Sequence, residues 1–289
     1  MKRLLLLMLV LCLTLSGAMA ENAKVVMLQQ GESAEALLNA EAAWLEVYFP
    51  TVKGADACIL RMGDEVIVVD AATSGQYPKV REVLAQLGIE RVDTAFNTHP
   101  HDDHIQGFQH MPSDVAVGRF LYTFPEDANN NMKNALSIMK EMQIPAQRVA
   151  DGETMKLGEA ELMVIQREQS WFSDNNRSAM VKVIYGDCSL LLAADVELDA
   201  QNMLLNTTPE LLKADILKYP HHGVVRAGWN FLKHVGAELA IVTNGRWSVK
   251  NTREDAKSRH LPLLFTDEGV VSMVTDGTTW VVSQQLKDK

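Results

Sequence analysis

Three imidazoles and two carboxylates fall within six positions of the chain, His99-Pro100-His101-Asp102-Asp103-His104. Imidazole nitrogen and carboxylate oxygen are the ligand types that suit zinc and its first-row neighbours. The spacing has a mechanical meaning. Pro100 bars helical geometry from the residue before it. His99 and His101 therefore leave the preceding apolar run in an extended loop and point the same way. Asp103 and His104 then open a helical turn and face an adjacent position, so one loop can serve two neighbouring cations. A dense, ordered cluster of this kind outweighs the plain alternative of a solvated polar turn. Two other segments offer the same chemistry. Asp195 follows the apolar run Leu190 to Ala194, and His221-His222 follow Asp215 to Tyr219. Asp195 also suits an ion pair or a helix cap ahead of Leu198. His221-His222 also suit one core and one surface histidine.

The elements that must position these groups are legible as hydrophobic pattern. Val92 to Asn97 reads as a buried strand delivering the histidine loop. Ahead of it, Ala57 to Met62 and Glu65 to Val69 form a hairpin around Gly63-Asp64, and Pro78 to Leu87 forms an amphipathic helix stopped by Gly88. Val115 to Phe124 reads as a further strand and Asp127 to Met142 as a helix capped near Asn129. Ala179 to Tyr185 and Ser189 to Ala193 form a second hairpin, which runs into Asp195. Leu198 to Leu212 and Ala227 to Val235 read as helices, and Leu239 to Thr243 as a strand. Val270 to Val282 forms a final hairpin around Asp276-Gly277. Glu32 to Ala43, rich in Ala and Leu, is expected to be a short helix. The pattern is two strand-rich halves, each followed by helices, which implies sheets covered by helices. Ligand groups then collect at strand C-terminal ends, where sites gather in such folds.

The 289 residues are 47% hydrophobic and 22% charged, an ordinary globular composition. Lys2-Arg3, the apolar run Leu4 to Leu15 and Ala18-Met19-Ala20 have the order of a secretory signal peptide, so residues 1–20 are expected to be removed on export. Residues 21–289 are then expected to form a single domain. Cys12 lies inside the apolar run. Cys58 and Cys188 remain in the mature chain, both in strand-like runs, and are expected to be buried thiols. No later run is long enough to span a membrane. The net charge is −10, and loss of Lys2 and Arg3 takes the mature chain to −10 − 2 = −12. That balance disfavours tight, extended binding of a nucleic-acid backbone, which usually needs a basic face, and leaves room for a small basic groove. It leaves a small molecule or a short nucleic acid as substrate. Composition leaves the oligomeric state open.

The ordered set of motifs resembles the metallo-β-lactamase superfamily, and within it most closely the hydrolase-like domain of ComEC-type competence proteins. The resemblance rests on Asn97-Thr98-His99-Pro100-His101-Asp102-Asp103-His104, on Asn175-Asn176-Arg177-Ser178, and on Leu191-Leu192-Ala193-Ala194-Asp195. It continues through Leu217-Lys218-Tyr219-Pro220-His221-His222-Gly223, Thr266-Asp267-Glu268-Gly269 and Thr275-Asp276-Gly277. It implies an α/β fold, the four-layer αβ/βα sandwich, and two divalent cations, zinc first and manganese as the other candidate. His99 and His101 would hold the first cation. Asp103, His104 and His222 would hold the second, with His221 as the rival for the last place, and Asp195 would bridge both. A metal-activated hydroxide would attack an ester-like centre, positioned by Asp103, with Asp102, Asn176, Arg177 and Tyr219 around it. Trp171, Phe172 and Trp247 are candidates to line the cleft.

Three departures stand out. Many superfamily members add a further histidine to the first cation, and here none occurs between His110 and Asp195; Asp174, Asn175 and Asn176 occupy that loop. Val224 stands where a serine usually follows His-His-Gly, and Asn244-Gly245-Arg246-Trp247-Ser248 replaces a Gly-His-Pro element. The resemblance implies a phosphodiesterase or nuclease-type hydrolase. The alternatives are a hydrolase of a small lactam, lactone or thioester, and a non-catalytic exported binder of metal or ligand.

Overall fold

The structure is a computed structural model and describes residues 24–29 and 32–286. The expected signal segment, with Cys12 and the Ala18-Met19-Ala20 site, lies outside the described residues. In chain order the first half holds β1 (Val25–Met27), β2 (Leu45–Phe49), β3 (Ala57–Met62), β4 (Glu65–Ala71), α1 (Tyr77–Gln86), β5 (Arg91–Asn97), α2 (Asp102–Ile105), α3 (Met111–Asp114), β6 (Ala116–Tyr122), α4 (Asn130–Glu141) and β7 (Ala146–Arg148). The second half holds β8 (Thr154–Leu157), β9 (Ala160–Ile165), β10 (Met180–Tyr185), β11 (Cys188–Leu192), α5 (Leu198–Thr207), β12 (Ile216–Lys218), α6 (Trp229–Val235), β13 (Leu239–Val242), α7 (Lys250–Ser258) and β14 (Leu263–Phe265). β15 (Gly269–Thr275) and β16 (Trp280–Leu286) return to the first half.

Among the described residues the strands form two sheets. One runs β1-β16-β15-β2-β3-β4-β5-β6-β7, the other β14-β13-β12-β11-β10-β9-β8. Their inner faces meet in one core, in which Val47, Leu60, Val69 and Phe96 oppose Leu162, Val183, Leu190 and Ile241. The outer face of the first sheet is covered by α1 and α4 through Val80, Leu84, Met132 and Met139. The outer face of the second is covered by α5 and α6 through Leu204, Phe231 and Val235. The architecture is therefore helix, sheet, sheet, helix: the four-layer αβ/βα sandwich. The core strands β4, β5, β12 and β13 are near-continuous runs of buried residues, as parallel strands packed on both faces must be. β4, β5 and β6 run parallel, as do β11, β12 and β13, so each half presents a row of strand C-terminal ends.

The segment Glu32 to Ala43 is not a helix. Only one 3-10 turn, Ala34–Ala36, forms there. The Asn39 N–H donates to Asp276 and the Trp44 indole N–H donates to the Asn39 carbonyl, so contacts with the last hairpin override the helix preference of Ala and Leu. The short strands β7, β8 and β14 and the helix α7 carry too little pattern to be anticipated. Cys58 and Cys188 are buried free thiols, as expected. Among the described residues no helix is long and apolar enough to cross a membrane.

One glycine sets how closely the histidine loop approaches the first sheet. The Gly107 N–H donates to the Ala72 carbonyl at 3.0 Å. A Cβ at Gly107 would overlap the Ala71 carbonyl, so backbone itself would have to move. Gly107→Ala is expected to cost about 1–3 kcal/mol by overpacking. Denaturant unfolding checks it; a loss under about 0.5 kcal/mol would show that this contact is not tight.

Candidate metal centre

The site is assembled from strand ends. Asp70 lies in the last turn of β4, the histidine loop follows β5, Asp195 follows β11, His221-His222 follow β12, and Thr243 follows β13. Asp56 arrives from the loop before β3, and its N–H donates to the Asp103 carbonyl at 3.0 Å. Among the described residues seven non-glycine residues have positive φ. Five of them, Asp70, Ala72, Ala194, His221 and His222, sit at these ends. Such backbone costs on the order of 1–3 kcal/mol per residue and persists only where the surroundings over-determine it. Here that strain turns side chains into one shared pocket.

The second half of the expected ligand set converges tightly. His104 Nε2 lies 3.3 Å from Asp195 Oδ1, and His222 Nε2 lies 3.4 Å from the same oxygen. His222 Nε2 is 3.1 Å from Asp103 Oδ2, and His104 Nε2 is 4.0 Å from Asp103 Oδ1. A tetrahedral cation with bonds of about 2.0–2.1 Å keeps neighbouring ligands about 3.3 Å apart. The atoms are therefore spaced as such a set requires. His104 Nε2, His222 Nε2 and Asp195 Oδ1 are moreover buried with no hydrogen-bond partner. Buried polar atoms are rarely left so. A cation among them satisfies all three at once.

The opposite ring nitrogens are fixed by carboxylates. The His104 Nδ1–H donates to Asp70 Oδ2 at 2.7 Å, and the His222 Nδ1–H to Asp56 Oδ1 at 2.9 Å. Asp70 also accepts the Thr98 hydroxyl at 2.6 Å and the Thr98 N–H at 2.9 Å. Asp56 accepts the Thr243 hydroxyl at 2.6 Å and pairs with the buried Lys218 ammonium. Lys218 also donates to the Ala194 carbonyl at 3.0 Å and lies 3.9 Å from Asp195 Oδ1. Outer carboxylates of this kind set the tautomer and orientation of ligating rings. Asp56 thus holds His222 from behind, while Asp103 stands on the ligand side.

Electrostatics follow from that packing. Burial opposes charge on His222, but Asp195 and Asp56 outweigh it and lift its pKa to about 10. The same balance, with Asp195 and Asp70, holds His104 well above the ordinary imidazole value. Burial pushes against ionised Asp195, yet His222 and His104 hold it well below the usual carboxylate range. Burial likewise opposes Asp56, and Lys218 and then His222 keep it ionised. His99 differs. Burial and the neighbouring His104 charge drive it well below 6.5, toward the neutral ring.

The first half of the set is looser. His99 Nε2 lies 3.1 Å from His101 Nδ1 and 3.9 Å from Asp195 Oδ2. Thr98 donates its hydroxyl to Asp70, so its oxygen accepts the His99 Nδ1–H at 3.1 Å and leaves Nε2 toward the pocket. His101 Nε2 is 4.0 Å from Asp174 Oδ2. His221 Nε2 reaches to 3.6 Å from Asp195 Oδ2, and its Nδ1–H donates to Glu197 at 2.9 Å. Other expected neighbours are placed differently. Asn176 is buried, and its amide oxygen accepts the N–H groups of Glu197 and Ala200 at 3.1 and 3.0 Å, capping α5. Tyr219 is buried in the outer core of the second half and its hydroxyl accepts the Ala227 N–H. Asp102 is exposed and accepts the Asp103 N–H at 3.1 Å. Arg177 stacks over Phe124 and is paired with Glu168 and Asp174, each at 3.5 Å. Phe172 is buried, whereas Trp171 and Trp247 are exposed.

Three contributors carry no local motif: Asp56, Asp70 and Lys218. The only hint is polarity out of place. Lys218 ends the apolar strand Ile216-Leu217, Asp70 ends the run Val66 to Val69, and Asp56 interrupts Ala55 and Ala57.

The family model of the metallo-beta-lactamase superfamily matches residues 51–240, well over half of the 289-residue chain, and the chain belongs to that superfamily. ComE operon protein 3 of Bacillus subtilis is 25% identical over 170 residues, which is 56% of this chain and 21% of that protein. The chain thus spans about one fifth of that relative's length. Among solved structures, the metallo-beta-lactamase fold protein YhfI of Bacillus subtilis superposes with a TM-score of 0.52 at 13% identity, over 76% of this chain and 95% of that one. A variant of CmlA beta-hydroxylase superposes with a TM-score of 0.51 at 17% identity, over 78% of this chain and 52% of that one.

A cation takes the neutral imidazole, so uptake displaces the proton that His222 holds up to about pH 10. Apparent cation affinity is expected to rise about tenfold per pH unit for each proton displaced. Competition with a chelator of known affinity between about pH 6 and about pH 9 measures it, and a flat profile would exclude His222 as ligand. Without metal the sign reverses. The raised folded-state pKa stabilises fully below the ordinary value of 6.5, and that stability fades as pH climbs to about 10. Chelated protein should therefore melt lower near pH 10 than near pH 6.5. Asp56→Ala leaves the Lys218 ammonium buried without its carboxylate and is expected to cost about 3–5 kcal/mol in denaturant unfolding.

Proposed function

We propose that this member of the superfamily is an exported, metal-dependent hydrolase of phosphodiester type. The observation that carries the reading is the trio of buried, partnerless ligand atoms on His104, His222 and Asp195, spaced as a cation requires. A pair of divalent cations bound there would bring the pKa of a water toward neutrality and polarise a substrate oxygen. The chain's own residues set the geometry. Asp195 faces His104 and His222 with one oxygen and His99 and His221 with the other. Asp103 is only half-buried, so it is the carboxylate placed to orient an attacking water as well as to ligate. Asp56 and Asp70 lock the rings, so little reorganisation is needed when charge develops at the reacting centre.

The phosphodiester class is supported by the run of motifs shared with ComEC-type domains and by the similarity to ComE operon protein 3. Export is supported by the order of residues 1–20. A small carbonyl substrate is the second reading. It is favoured by Arg177, the cation suited to clamping an anion, being already paired with two carboxylates. The mature charge of −10 − 2 = −12 favours it too.

Purified mature protein loaded with zinc or manganese is to be assayed on bis-p-nitrophenyl phosphate, a short single-stranded DNA and nitrocefin. Turnover of the phosphodiesters is expected, and Asp195→Asn should lower it by about 10²–10³-fold, since an electrostatic contact of this kind is worth roughly 3–4 kcal/mol at the transition state. Turnover of nitrocefin alone selects the carbonyl reading. Turnover of nothing, with two metals bound, makes the chain a binder rather than an enzyme.

A further inference from the structure

The first cation site has two histidines where many relatives of this kind place three, and no histidine lies between His110 and Asp195 to complete it. The structure brings another ring to the Asp195 oxygen that His99 faces. Asp195 divides its oxygens between the two halves of the pocket: Oδ1 faces His104 and His222 at 3.3 and 3.4 Å, and Oδ2 faces His221 and His99 at 3.6 and 3.9 Å. His221 and His222 are adjacent in sequence, yet their Nε2 atoms address opposite oxygens of one carboxylate. Consecutive left-handed residues make this so, with φ +47° at His221 and +49° at His222. A turn needed only for chain reversal would use glycine or asparagine at such angles. Imidazoles at both positions carry strain that a surface ion pair, worth at most about 1 kcal/mol, does not offset.

The backing of His221 matches that of the other rings. Its Nδ1–H donates to Glu197 at 2.9 Å, leaving the Nε2 lone pair toward Asp195. Glu197 is itself steadied by the Asn175 amide at 3.2 Å. The His221 N–H donates to the Ala194 carbonyl at 2.9 Å, which ties the ring to the segment carrying Asp195. His221 thus has what His104 has in Asp70 and His222 in Asp56: a carboxylate behind one nitrogen and the shared Asp195 before the other.

We propose that His221 is the third imidazole of the first cation site, with His99 and His101, and that Glu197 is its positioning residue. His221 does not compete with His222 for the second site. Resting on the dinuclear reading above, this assignment gives the chain a three-histidine site without the usual loop histidine.

Cation stoichiometry tests it apart from activity. Metal-stripped full-length mature protein is titrated with zinc by calorimetry and with cobalt(II) by visible absorption, and bound metal is counted by atomic emission. The unaltered chain is expected to take two ions. His221→Ala should keep one at full affinity and lose the other, while His222→Ala should lose the second-site ion instead. Glu197→Gln should still take two, with one bound about 10–100-fold more weakly. Two ions bound by His221→Ala with unchanged affinities overturn the assignment and leave the dinuclear reading intact. No ion bound by the unaltered chain overturns both. If circular dichroism shows His221→Ala to be unfolded, Glu197→Gln decides: one weakened site supports the assignment, and two unchanged sites overturn it.

Discussion

The carboxylate of Asp195 is the constraint that the rest of the site answers to. It is almost wholly buried at the seam between the two sheets, where an unpaired charge would cost several kcal/mol. Its nearest rings are His104 and His222, whose facing Nε2 atoms have no hydrogen-bond partner, beside a lysine already committed to Asp56. With Asp56, Asp70 and Asp103 nearby, the pocket holds four carboxylates against one ammonium. Protonated His104 and His222 can supply the missing positive charge, and the lifted pKa values of both describe that state. Divalent cations supply it better, because they also occupy the partnerless Nε2 and Oδ1 atoms. Protons on the two rings or a bound metal are the two ways in which these groups can satisfy that charge.

The scaffold makes that arrangement rigid. Parallel strands from both sheets end at one edge, and each contributes to the pocket: Asp70 from β4, the histidine loop from β5, Asp195 from β11, His221-His222 from β12, Thr243 from β13. The two halves are stitched there by backbone bonds between Gly54 and Thr243 and between Ala179 and Thr98. The left-handed residues at these ends would relax if the sheets separated. Packing of the shared core therefore holds the strain that aims the side chains, and stability and ligand geometry are linked through the same contacts.

What could be read from sequence divides along a physical line. The histidine loop was legible because its ligand chemistry is local, six positions carrying five donors. Asp195 and His221-His222 were legible because apolar runs ended on groups that such runs do not normally end on. Asp56, Asp70 and Lys218 were not, because a single buried carboxylate or ammonium has meaning only beside its partners, and those lie 23 to 187 positions away in sequence. The carboxamide of Asn176 shows the converse. The resemblance placed it around the attacking hydroxide; in the fold its amide oxygen caps α5 from a distant segment. The two sheets and their helices followed from hydrophobic period, whereas Glu32 to Ala43 did not follow from propensity, because the last hairpin captures it.

The fold by itself does not choose the reaction: CmlA beta-hydroxylase and YhfI both superpose on this chain to a similar degree. The differences between the two halves of the pocket say more. His104 and His222 are backed by ionised or strongly bonded carboxylates, which make their rings better donors, whereas His99 is backed by the neutral Thr98 hydroxyl. Asp103 adds a further negative oxygen on the side of His104 and His222. A cation bound on that side would therefore be held more strongly. On the other side, His101 and His221 are only half-buried. That asymmetry is built by outer residues rather than by the ligands, and it is these residues that distinguish this chain's site from any other set of histidines on the same scaffold.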